Sequence, residues 1–254
     1  MRSTSSFSRR NFLRNSVVVG GLAGFNLFSK SALGQTVSPG ASIASPAASS
    51  SQANSSPAKP KRPPLPRMAP PYDKAVINLI GPKPGYSPQI GTLVSMLTWM
   101  ELAVLGPTRE LTQPELDWLL DKNANSIGAL MLHLAATEVL YQRMTFNNED
   151  FDKLPADYEA KWGAAMNLGE NGRKSIKGHD ISYYQDTIRE VREKTLVEFR
   201  QRNDSWLLTP LKEEVWGGPA NNYCLWFHVC EHISHHAGQI DLLMKRLPGA
   251  KAEE

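Results

Sequence analysis

Six histidines are spread over the 254-residue chain, and four of them crowd one short stretch: His228, His232, His235 and His236. That stretch carries the apolar spacing of a helix. On a helix His232 and His236 lie 40° apart and one turn along the axis, the spacing two imidazoles need to meet one metal ion. Gln239 lies close to the same line, where it can orient a ligand or water. A fifth histidine, His133, sits in Leu130-Met131-Leu132-His133-Leu134-Ala135, an apolar setting that predicts a buried ring. Alone, His133 reads as a hydrogen-bonded core residue, and the cluster alone reads as a polar stripe. Together, a pair on one helix and a buried ring on another match the way helical bundles build metal sites from facing helices. The expected ligands are therefore His133, His232 and His236, and all-imidazole donors suit Zn, Ni, Fe or Cu. Glu138 is the acid nearest in sequence to His133, but five residues on it points about 140° away, so no catalytic role is assigned to it.

Two other patterns compete for the same helix. His228-Val229-Cys230-Glu231-His232 matches the H-x-x-E-H peptidase signature, yet a motif counts only in its structural context, and too little chain follows to supply a distant third ligand. Cys224 and Cys230, six residues apart, are separated by about 9 Å of helical rise and point in different directions. An intramolecular disulfide between them is not expected, and both read as small buried apolar residues.

The elements that must position these rings are helices. Ser87 and Pro88 open a helix whose stripe is Leu93, Met96, Leu97, Met100 and Val104, and Gly106-Pro107 is expected to end it. A short helix is expected from Thr112. A second long helix starts near Ser126 and runs to about Met144. Residues 147–179 read as a long polar connection with a short helix around Trp162. Asp180 caps a third long helix, whose outer side (Arg189, Glu190, Arg192, Glu193, Lys194) reads as a solvated face. The fourth begins at Asn221 or Asn222 and stops near Leu247-Pro248-Gly249. No segment alternates with period two, so the fold class is all-α, a four-helix bundle.

The first seventy residues differ from the rest. They hold nine Lys and Arg and no acid, which leaves 19 bases against 25 acids, a net charge of −6, for residues 71–254. The basic balance belongs to the leader, so a nucleic-acid footprint is not expected of the folded part. Ser8-Arg9-Arg10-Asn11-Phe12-Leu13, a glycine-softened apolar run from Val17 to Phe28, and Ala32-Leu33-Gly34 lay out as a twin-arginine signal peptide over residues 1–34. The run is too short and glycine-rich to stay as a membrane anchor. The expected destination is the periplasm or beyond. Export of folded chains by this route favours a metal loaded before transit. Residues 35–70, rich in Ser, Ala and Pro, read as a disordered linker, which leaves one domain over 71–254.

Two stretches carry a family resemblance. Leu111-Thr112-Gln113-Pro114-Glu115-Leu116-Asp117-Trp118 with Ser126 to Glu138, and Leu225 to Ile240 with its His232-Ile233-Ser234-His235-His236-Ala237-Gly238-Gln239 ending, resemble a DinB/YfiT-type domain across roughly 87–247. The resemblance implies a four-helix bundle, often dimeric, that holds a divalent metal through His133, His232 and His236. It also implies an open coordination position and, in some relatives, transfer chemistry with a low-molecular-weight thiol. Three neutral ligands with an open position are the pattern of catalytic metal sites. The two function classes that remain are a metal-dependent enzyme, of thiol-transferase or hydrolase type, and a non-catalytic, metal-stabilised binding module.

Overall fold

Each long helix starts where the chain supplies an acceptor for its orphan N–H groups. The computed structural model describes residues 76–150, 153–212 and 214–250; the expected signal peptide (1–34) and linker (35–70) lie outside them. Helix α1 is Pro88–Thr108, α2 Gln113–Asp117, α3 Ile127–Phe146, α4 Ala156–Asn167, α5 Gly169–Ser175, α6 Ile181–Arg200, α7 Asp204–Leu207 and α8 Asn222–Met244. Ser126 Oγ accepts from Ala129 N at 3.2 Å, Asp180 from Tyr183 N at 3.1 Å and Asn221 from Cys224 N at 2.9 Å. Helix α1 departs from this pattern. Ser87 stands at its N-cap but makes no side-chain cap bond. Instead Asp204, at the start of α7, accepts from the N–H groups of Gln89 (3.0 Å) and Ile90 (3.2 Å) and from the Ser87 hydroxyl. The cap is therefore tertiary, and a carboxylate suits the positive end of the helix.

The four long helices close a ring, with α1 packed on α8, α8 on α3, α3 on α6 and α6 on α1. Ile90, Leu93, Leu97 and Val104 of α1, Leu130, Met131 and Leu140 of α3, Tyr184 and Phe199 of α6 and Trp226 of α8 meet in one core. Helices α3 and α8 run antiparallel: the Trp226 indole donates to Thr145, Tyr141 meets His228, and His133 meets His232. That register decides which side chains share a layer with the histidines.

Three local expectations need correction. Gly106-Pro107 does not end α1, which continues through Thr108. A proline deletes one backbone bond, and in this last turn Thr108 Oγ1 ties back to the Val104 carbonyl at 2.8 Å. The 147–179 connection holds two helices, α4 and α5, broken at Leu168, whose φ is +51°. The third correction is Arg192. Read as part of a solvated face, it is 4% exposed. Its guanidinium donates to both oxygens of Glu138 (2.9 and 2.8 Å), to Glu101 (3.1 Å) and to the Leu97 carbonyl (2.8 Å). Glu138 also accepts from Thr195 Oγ1 at 2.6 Å. A buried charge is tolerated here because it is paired and bidentate, and the cluster ties α1, α3 and α6 together.

Candidate metal centre

Helix α3 contributes His133, and α8 contributes His232 and His236; all three are buried. Among the described residues these are the group of three metal-binding side chains whose donor atoms converge, all within 4.8 Å of one another. His232 Nε2 lies 3.2 Å from His133 Nε2 and 3.1 Å from His236 Nε2.

The outer ring nitrogens fix the tautomers. His133 Nδ1 lies 2.9 Å from the Ala165 carbonyl, which only accepts, so the proton of a neutral ring sits on Nδ1 and Nε2 is a bare lone pair. His236 Nδ1 pairs at 2.8 Å with Gln239 Oε1, which leaves its Nε2 bare as well. Burial pushes the His133 ring down to about 3, with the neighbouring His236 lowering it further and the Ala165 bond opposing. Burial also holds His232 well below the ordinary imidazole range and lowers His236. Three neutral rings thus point Nε2 atoms at one spot, and His232 can offer at most one proton to two lone pairs. A divalent cation removes that mismatch. Imidazole–metal bonds of ~2.0–2.1 Å place ligand nitrogens about 2.9–3.4 Å apart in octahedral or tetrahedral sites, and the two short contacts fall in that span. The residues fit a metal ion, and the ring contacts to Ala165 and Gln239 are the orienting bonds that such ligands need.

The remaining histidines are placed otherwise. His228 accepts from or donates to the Tyr141 hydroxyl at 2.9 Å, rests against Trp216 (ring centroids 4.7 Å apart) and lies 5.3 Å from His232, ring to ring. Burial, with repulsion from His235 and His236, takes it down to about 4. The H-x-x-E-H match therefore does not form a peptidase site: His228 turns to Tyr141 rather than to the three converging nitrogens. His235 pairs with Glu231 at 2.8 Å at the surface, and His179 stacks on Tyr183. Both cysteines are free thiols. Burial raises the Cys230 thiol to about 12, against the pull of Arg192, which makes it a poor nucleophile. Cys224 lines an apolar pocket of about 330 Å³ with Leu93, Met96 and Phe227.

Sequence reading named the three converging histidines and Gln239. It missed the Ala165 carbonyl, because a backbone acceptor on a separate helix leaves no residue-type signal. It also missed Tyr141, which meets His228, although it follows His133 at helical spacing (i+8) and that regularity was available.

No curated protein matches the chain. Residues 92–249, well over half of the sequence, match the family described as mycothiol-S-transferase, which lies within the DinB/YfiT-like superfamily. With its helical bundle and its three buried, metal-competent histidines, the chain belongs to the mycothiol-S-transferase family.

Proposed function

We propose that this protein is a metal-dependent thiol-S-transferase, with one divalent ion held by His133, His232 and His236 and a low-molecular-weight thiol as one substrate. The observation that carries the reading is the convergence of three neutral Nε2 atoms with their Nδ1 atoms oriented at two of the rings. The family match supports thiol transfer over hydrolysis. A bound ion supplies a Lewis acid that lowers the pKa of a thiol reaching it. The protein's own contribution is positional. Ala165 and Gln239 hold two rings in the tautomer that presents a lone pair, and all three rings are buried. In the transfer the thiol gives its S–H proton to water, the sulfur forms a new S–C bond, and the leaving group on that carbon departs with the electron pair of the bond it breaks.

The reading extends to location. Arg9-Arg10 and the glycine-softened apolar run support export by the twin-arginine route, with the metal loaded before transit.

Purified protein should contain about one divalent ion per chain, as three ligands imply. It should conjugate a small thiol to an electrophile, and chelation should abolish that activity. Full activity after complete metal removal, with metal-free protein still folded, would overturn the proposal.

A further inference from the structure

One buried polar atom on the helix that carries His133 has no hydrogen-bond partner among the described residues. Thr137, on α3, is 1% exposed, and its Oγ1 is shielded from solvent without a hydrogen-bond partner among the described residues. Threonine in a helix commonly bonds back to the carbonyl four residues earlier, as Thr108 and Thr145 do here. Thr137 does not.

Its position follows from the register. His133, Thr137 and Tyr141 are four residues apart, so they form one stripe at 40° steps and about 6 Å of rise per step. Both ends of that stripe face α8: His133 meets His232, and Tyr141 meets His228. Thr137 therefore faces α8 in the layer between the three-nitrogen cluster and the Tyr141–His228 pair. A hydroxyl left without a partner in a dry core costs free energy. Burial is explained if a ligand completes it.

Resting on the metal-dependent reading above, we propose that Thr137 is a ligand-binding residue: its hydroxyl donates a hydrogen bond to the sulfur, oxygen or nitrogen of the small anionic ligand that arrives beside His133, His232 and His236. The open side of the site is then the side facing Tyr141 and His228. The ligand class is a thiolate or another compact anion, because the rotatable O–H of Thr137 turns its donor toward negative charge.

The test uses the full-length protein loaded with cobalt, titrated with azide and with 2-mercaptoethanol, and read by the visible spectrum. Thr137→Val removes the hydroxyl and keeps the shape; Thr137→Ser keeps the hydroxyl. Thr137→Val should take up cobalt as well as wild type yet bind azide and thiol about tenfold or more weakly, the loss expected when a hydrogen bond to a charged group is removed. Thr137→Ser should bind within about threefold of wild type, because it keeps the donor. Without metal, Thr137→Val should melt at the wild-type temperature or above, since an unpaired buried hydroxyl is replaced by a methyl. A Thr137→Val protein that loads cobalt and binds both ligands like wild type overturns this inference and leaves the metal reading intact. So does a metal-free Thr137→Val protein that melts clearly lower, which would show a structural hydroxyl. A folded wild type that takes up no cobalt overturns both.

Discussion

Replacing Arg192 with methionine should destabilise this protein more than almost any other single change. The guanidinium donates to four acceptors, two on Glu138 and one each on Glu101 and Leu97, and the two arginine–glutamate pairs are 4% exposed on both sides. Without it, the Glu138 carboxylate stays in the core stripped of its bidentate cation, and Glu101 loses a charged partner. Breaking a buried ion pair by removing one partner costs about 3–5 kcal/mol, a large part of the roughly 5–15 kcal/mol that holds a domain folded. For a domain of this size, that is a fall in melting temperature of about 6–20 °C. Glu138→Gln should cost less, because Arg192 then still faces the Glu101 carboxylate. The triple change Arg192→Met, Glu138→Met and Glu101→Met should recover most of the loss, since burying no charge avoids the desolvation cost. Urea unfolding followed by circular dichroism gives all three values. An Arg192→Met protein that loses less than about 1 kcal/mol would refute the argument. So would a triple variant that is no more stable than the single one.

Other outcomes can be checked with the same protein. His133→Ala, His232→Ala and His236→Ala should each abolish tight binding of the divalent ion, whereas His179→Ala should leave it intact; equal damage from His228→Ala would mean that the wrong pair on α8 has been named. The metal-free protein should lose stability as pH falls below the ordinary imidazole value of 6.5, because His133 (about 3) and His228 (about 4) resist protonation when folded and take it up when unfolded. Their contribution is complete above 6.5 and declines toward those values, so a urea midpoint that stays flat between about pH 7.5 and about pH 5 would contradict the burial of neutral rings. Asp204→Ala should cost about 1 kcal/mol through the lost cap of α1, measured by the same unfolding. Changing Arg9 and Arg10 to lysine should leave the chain in the cytoplasm; continued export through the general secretory route alone would refute the twin-arginine reading.

The sequence by itself determined the four long helices and the metal-competent set. Caps at Ser126, Asp180 and Asn221 are local, made by side chains with N–H groups three residues away, so they are legible in a linear reading. The His232/His236 pair is local in the same sense, one turn on one helix, and the apolar flanks of His133 announced its burial. What the sequence could not decide depends on how helices face each other. Arg192 looks like any surface charge until α6 turns it toward Glu138, 54 residues earlier, and Glu101, 91 residues earlier. Asp204 stands in the first turn of its own short helix, which Asn203 caps, yet it caps α1 across 115 residues. The Ala165 carbonyl that sets the tautomer of His133 belongs to a stretch whose polar composition reads as connection, and its backbone oxygen has no residue type to betray it. Hydrogen bonds within a turn follow from helical geometry, whereas those between helices follow from register and rotation, which only the packed core of α1, α3, α6 and α8 fixes.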